Sequence, residues 1–227
     1  MVWQRARSDE QKEQRRRALL EAAARLHEAQ PLDAISLSAI AREANVSKAN
    51  VYRYFESRED LFLDLMLESS GGWARTLRTR LAELEGRADG DAVAQALVSS
   101  VLEHPRFARL AAVLTTVLEA NVGVERVVRF KTELMGLVAE LVPPVQAVFP
   151  GWEAEHASEL LQAAWMMTVA LWPAAHPAPA VREALKRPEL AHACVTFEPT
   201  MKAMLKTQIR GIEAARGERT HTAFVKT

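Results

Sequence analysis

Residues Ser36 to Leu61 read SLSAIAREANVSKANVYRYFESREDL, and their spacing predicts two short helices joined by a tight turn and followed by the start of a third. Ser36 stands where a helix N-cap is needed, because its hydroxyl oxygen accepts one of the orphan backbone N–H groups of the first turn. Leu37, Ile40, Ala41 and Ala44 follow at helical spacing and form the stripe to be buried. Asn45 ends that helix, since asparagine tolerates the left-handed backbone that a sharp turn between helices requires. Val46 is a buried stitch in the turn, and Ser47 is placed to cap a second helix over Lys48 to Phe55. In it Val51 and Phe55, four apart, face inward, leaving Lys48, Asn50, Tyr52, Arg53 and Tyr54 on other faces. Those side chains suit duplex DNA. Lys and Asn near a helix N-terminus reach base edges in the major groove, while Ser, Tyr and Arg donate to phosphates and hold the register.

From about Arg15 to Met66 the chain resembles the N-terminal domain of the TetR family of bacterial transcriptional regulators. The most specific part is Val46 to Leu61, VSKANVYRYFESREDL, which is similar to the family's recognition helix and the start of its fourth helix. The resemblance implies base contacts from Lys48, Ala49 and Asn50, and a base-edge contact from Ser38. It implies phosphate contacts from Ser47, Tyr52 and Tyr54, with Ser36 and Arg53 on the same DNA-binding surface and Arg58 near the backbone at the start of the fourth helix. The sequence departs from the family pattern at His27, Pro31, Asn45 and Arg58, and none of these removes a DNA-contacting group.

The 227 residues carry no formal net charge, yet Met1 to Arg17 holds Arg5, Arg7, Lys12, Arg15, Arg16 and Arg17 against Asp9, Glu10 and Glu13. The positive charge is therefore local, as a DNA-following arm requires. Hydrophobic residues make up 49%, enough for a sizeable core in one large or two small domains. A single cysteine, Cys194, excludes an intramolecular disulfide and is read as a small buried hydrophobe, which with the absence of a signal-peptide pattern predicts a cytoplasmic protein. The uncharged run Leu160 to Val181 is broken by Pro173, Pro177 and Pro179, so no membrane span is expected.

The remaining pattern is all-α, with no alternation that would predict a strand. Helices are expected over about Asp9 to Ala29, Arg58 to Glu85 (with a candidate hinge at Gly71-Gly72), a segment capped by Asp91 through Glu103, and His104 to Asn121. Others are expected from Gly123 to Leu141, Trp152 to Trp172, Ala180 to Lys186 and Pro199 to Ala215, with Pro143, Pro144, Pro150 and Gly151 marking a loop. The expected division is a helix-turn-helix domain at 1–60, a helical effector-binding and dimerisation domain at 61–216, and a tail at 217–227.

The apolar helix near 153–172 and the last helix near 199–215 are the expected homodimer surface, which a single helix-turn-helix needs to reach adjacent half-sites. His104, Phe107, Leu114, Val117, Phe130, Leu134, Met135, Trp165, Met166 and Trp172 are the candidates for an effector pocket. The Glu-x-x-His pairs Glu153/His156, Glu189/His192 and Glu218/His221 have the spacing of di-iron bundles, but inward partners on other helices are lacking. No enzyme, cofactor or metal is therefore expected. The function expected is a dimeric, sequence-specific DNA-binding regulator, a repressor released from a pseudo-palindromic operator on double-stranded DNA by a small-molecule effector. The alternative is a helical small-molecule binder or metalloenzyme with a vestigial DNA-binding domain.

Overall fold

The computed structural model describes residues 2–224, with side chains from residue 10 to residue 216. Its secondary structure among these residues is helical throughout, without a strand. Two compact units are present, Met1–Ser69 with Val113–Glu133, and Ser70–Ala112 with Leu134–Thr227.

In the first unit, helix α1 (Val2–Ala29) begins earlier than the predicted Asp9. Its Leu19, Leu20, Ala22, Ala23 and Ala24 are buried, and the rest of it is rich in the straight-chain residues that favour helix. Pro31 disfavours helical backbone at Gln30, and a single 3-10 turn over Leu32–Ala34 comes next. Helix α2 (Leu37–Glu43) is capped as predicted, Ser36 Oγ accepting from the Ala39 N–H at 3.1 Å. Asn45 has φ 54°, and the Val46 N–H donates to the Ala41 carbonyl at 2.9 Å to close the turn.

Helix α3 is shorter than predicted, Lys48–Val51 instead of Lys48 to Phe55. The N–H groups of Arg53 and Tyr54 turn to carbonyls three residues back, on Asn50 and Val51, tightening the coil so that the chain reverses into the next helix. That reversal is fixed by Ser57, whose hydroxyl accepts from the Asp60 N–H at 3.0 Å. Helix α4 (Arg58–Ala82) is continuous helix through Gly71 and Gly72, the predicted hinge. Gly72 admits a close neighbour: a Cβ on it would lie 3.4 Å from the His104 ring. The division between the compact units falls beside the pair, at Ser69 and Ser70.

Helix α5 (Gly90–Glu103) is capped by Asp89 rather than the predicted Asp91, with Asp89 Oδ1 accepting from the Asp91 and Ala92 N–H groups at 3.0 Å each. Helix α6 (Pro105–Val113) stops short of Asn121, giving way to a π turn over Leu114–Leu118 and a 3-10 turn over Glu119–Asn121. Helix α7 (Val124–Ala139) is the next element. The predicted loop at Pro143 and Pro144 is helix α8 (Val142–Val148), because prolines in a first turn remove N–H groups that have no partner there in any case. Helix α9 (Ala154–Ala175) carries Pro173 in its last turn, and α10 (Pro179–Ala184) and a 3-10 turn over Pro188–Ala193 lead to α11 (Phe197–Phe224). That last helix overruns the predicted end at Ala215 and occupies most of the expected tail.

The second unit's core joins α5, α8, α9 and α11 through residues such as Val93, Leu97, Val145, Leu160, Leu161, Met201, Leu205 and Ile209. Burial of each such aliphatic side chain contributes about 1.5–3 kcal/mol. Lys206 Nζ to Asp91 at 2.7 Å and Gln208 Nε2 to Glu159 at 2.8 Å stitch α11 to α5 and α9 at the rim. Cys194, read as buried, is exposed, because it closes a surface turn over Pro188–Ala193 that itself contains no buried residue. No described helix is long and apolar enough to cross a membrane.

Candidate nucleic-acid interface

The α2–turn–α3 segment is a helix-turn-helix whose two serine caps set the faces. With Val51 and Phe55 at 0% and 1% exposure in the core, the α3 turn has one possible rotation. Lys48, Ala49 and Arg53 are exposed, Tyr52 is 53% exposed, and Asn50 and Tyr54 are half-buried. Lys48 Nζ lies 5.8 Å from the centre of the Tyr52 ring, the i, i+4 pairing expected on one face. Ser38 is exposed on α2. The Ser36 and Ser47 hydroxyl oxygens are occupied as caps, Ser47 accepting from the Asn50 N–H at 3.3 Å, and each hydroxyl proton is still available to an acceptor outside the chain.

Arg58 is placed differently from the others. Its Nη1 donates to the carbonyls of Leu32 and Ile35, at 3.1 Å each, and its Nη2 to Glu59 at 2.6 Å. This guanidinium braces the turn between α1 and α2 from inside the first unit. His27, where the family pattern has an aromatic residue, acts as one: its ring is buried and meets Phe62 edge-on at 5.6 Å.

Beneath the reading segment lies an ionic cluster that sequence spacing does not reveal. Arg126 of α7 donates from Nε to Asp60 Oδ1 and from Nη2 to Asp64 Oδ1 at 2.7 Å. Asp64 Oδ2 accepts from Arg16 of α1 at 2.6 Å, and Asp60 Oδ2 accepts from the Glu56 N–H at 3.0 Å. The two carboxylates thus tie α1, α4, α7 and the turn after α3 together, across 66 residues of sequence between Arg126 and Asp60. No local motif signals such a pairing.

The ten pocket candidates are divided between the two compact units. Leu114 and Phe130 are buried and Val117 half-buried in the first unit. In the second, Phe107 stacks on Trp73 at 4.6 Å and meets Trp165 at 6.0 Å, while Trp172 stacks on His176 at 4.1 Å. Leu134 is buried there, and Met135 and Met166 are exposed. His104 is half-buried, with Nε2 2.8 Å from Thr76 Oγ1, and burial holds its imidazole below the usual value, with Glu103 opposing and Arg75 reinforcing the shift. A groove of about 760 Å³ is lined by Arg87, Asp89, Phe149, Lys206, Arg210 and Glu213 among others, and by none of the ten candidates.

One of the three Glu-x-x-His pairs has another use. Glu153 and His156 cap α9 reciprocally, the Glu153 N–H donating to His156 Nδ1 at 3.0 Å. Glu189 and His192 lie exposed on the 3-10 turn, and the side chains of Glu218 and His221 are outside the described residues. Among the described residues no cluster of three or more His, Cys, Asp or Glu is placed to hold a metal ion.

Comparison with known proteins agrees with this geometry. Residues 19–65 match the family model for bacterial regulatory proteins of the tetR family, and residues 67–216 match that of the tetracyclin repressor-like C-terminal domain. A search of curated proteins finds no match. Among solved structures, one described as a TetR-family transcriptional regulator from Mesorhizobium loti is 15% identical over 89% of this chain and 96% of its own, with a TM-score of 0.55. A transcriptional regulator from Pseudomonas aeruginosa is 19% identical over 92% of this chain and 94% of its own, TM-score 0.55. FadR from Bacillus subtilis, solved with stearoyl-CoA, is 14% identical over 84% of this chain and 97% of its own, TM-score 0.50. With a family model on each side of residue 66 and the C-terminal model alone covering most of the sequence, the chain belongs to the TetR family of transcriptional regulators, with an N-terminal helix-turn-helix and a C-terminal ligand-binding domain.

Proposed function

We propose that the protein is a homodimeric repressor that reads a pseudo-palindromic operator and releases it when a small-molecule effector binds. The observation that carries this reading is the doubly capped turn that buries Val51 and Phe55 while turning Lys48, Ala49, Asn50, Tyr52 and Arg53 outward. Lys48, Ala49, Asn50 and Ser38 are assigned to base edges, and Ser36, Ser47, Tyr52, Arg53 and Tyr54 to backbone phosphates. Arg58 acts on the same surface by bracing it.

Dimerisation is assigned to α9 and α11. Met166 is 57% exposed and Met204 44% exposed, and each lies in a stripe of small side chains, with Ala170 and Ala174 on α9 and Ala203, Thr207 and Gly211 on α11. Such a surface suits close helix packing across a two-fold axis, which spaces two reading helices ~34–36 Å apart. The assigned division is a DNA-reading domain at 1–60 and an effector and dimerisation domain at 61–216. An apolar effector fits the aromatic set Trp73, Phe107 and Trp165 best, and its binding acts by shifting the population of head spacings.

Selection from random duplex DNA with the purified protein tests the proposal. Enrichment of a two-fold-symmetric site is expected; a folded protein that enriches nothing even at reduced salt overturns it.

A further inference from the structure

A second basic feature borders the reading surface and lies outside the helix-turn-helix. Gln11, Lys12, Glu13, Arg15 and Arg16 of α1 and Arg53 and Tyr54 after α3 enclose an open cleft of about 430 Å³. Its cations are not equivalent. Arg16 is committed to Asp64 at 2.6 Å and lies over the Phe55 ring at 6.0 Å. Glu13, the one carboxylate of the lining, already has Arg17 at 3.3 Å and Arg16 at 3.8 Å. Arg15 and Arg53 are exposed and have no carboxylate within ion-pair distance among the described residues. Two uncompensated guanidiniums, the Lys12 ammonium and the Tyr54 hydroxyl therefore line one concavity.

We infer that this cleft seats one phosphodiester of the operator backbone, a reading that rests on the DNA-binding function proposed above. The guanidinium fork matches two phosphate oxygens at once, Tyr54 supplies a neutral donor, and the open mouth fits a group that remains part of a polymer. The position favours DNA over any other polyanion, because Arg53 and Tyr54 adjoin Tyr52 on the reading surface. Helix α1 thereby adds Arg15 to the backbone phosphate assigned to Arg53 and Tyr54, without reading a base.

The test compares the parent with an Arg15→Ala/Arg53→Ala variant on the selected operator and on a random duplex, by fluorescence anisotropy over a range of KCl concentrations. Each phosphate neutralised contributes ~0.9 to the slope of log affinity against log salt, so loss of one phosphate from each of two clefts lowers the slope by about 1.8. Both duplexes are expected to weaken together, with the selected sequence unchanged. A methylphosphonate scan of the operator locates the contact: one neutralised phosphate per half-site weakens the parent and leaves the variant unaffected. Because both arginines are exposed and have no ion-pair partner among the described residues, the variant's melting temperature is expected to match the parent's. An unchanged slope, or a variant that still loses affinity at the same methylphosphonate, overturns the cleft assignment while the parent's specific binding leaves the DNA-reading proposal standing. A parent that binds neither duplex overturns both.

Discussion

Replacing Arg126 by alanine is expected to destabilise the protein by about 2–3 kcal/mol. The side chain is 11% exposed and its partners Asp60 and Asp64 are 16% and 17% exposed, so the pair is largely withdrawn from water. Removing one member of a fully buried pair costs about 3–5 kcal/mol, most of it the penalty of a carboxylate left without its cation. Here two contacts survive and reduce that figure: Asp64 keeps Arg16 at 2.6 Å, and Asp60 keeps the Glu56 N–H at 3.0 Å. For a chain of this size each kcal/mol shifts the midpoint by about 2–4 °C, so a fall of about 5–10 °C is expected. Urea unfolding followed by far-ultraviolet circular dichroism measures it directly. Arg126→Lys is expected to recover only part of the loss, because an ammonium is a point charge and cannot span Asp60 and Asp64 as the guanidinium does. A loss below about 0.5 kcal/mol in the alanine variant, the range of an ordinary surface change, would refute the reasoning.

Lys48→Ala and Tyr52→Phe are each expected to weaken operator binding with unchanged melting temperature, the lysine variant losing base preference and the tyrosine variant losing affinity uniformly across sequences, as quantitative binding to an operator library will show. Gly211→Arg is expected to give a folded monomer in analytical ultracentrifugation, because a Cβ there meets nothing within 4 Å of its own chain yet stands on the proposed dimer surface. Gly90→Ala is expected to cost about 1–3 kcal/mol, since its Cβ falls 2.9 Å from Ile209 Cγ2, and thermal unfolding in an Ile209→Ala background is expected to show that cost largely removed. His104, whose folded imidazole is held below the usual ~6.5 chiefly by burial, contributes stability that is fully present above that value and is lost as pH falls through the lower folded value. The loss of stability between pH 7 and 5 is therefore expected to be smaller in His104→Gln than in the parent.

The reading segment is legible in the sequence because its determinants are local. Ser36, Asn45 and Ser47 act on backbone groups within four residues of themselves, and the structure has each where spacing puts it. The departures share the opposite cause. Helix α3 ends at Val51 because the chain must turn into α4, which is a tertiary demand that the continuing pattern to Phe55 does not carry. Pro143 and Pro144 are ambiguous by residue type, since proline marks loops and also begins helices, and the burial of Val145 and Val148 in the second unit's core favours the helix. Cys194 belongs to a core by residue type, whereas burial depends on what packs above it. Arg126 carries no signal at all, since an arginine on an amphipathic helix has a solvated face as its ordinary reading.

The same cluster bears on how a chain with no net charge presents a surface to a polyanion. Asp60 and Asp64 stand at the start of α4, directly after the reading helix, where uncompensated carboxylates would repel the backbone over distances up to a Debye length, ~10 Å at 0.1 M salt. Arg126 and Arg16 answer both within hydrogen-bonding distance, which leaves the field on that face to exposed cations such as Arg15 and Arg53, neither of which has a carboxylate at ion-pair distance among the described residues. Arg126 therefore has two separable effects, one on folding and one on the field at the interface. The second predicts that Arg126→Ala weakens DNA binding at temperatures where the variant is fully folded, and that the deficit shrinks as salt rises. A deficit independent of salt would assign the whole effect to packing.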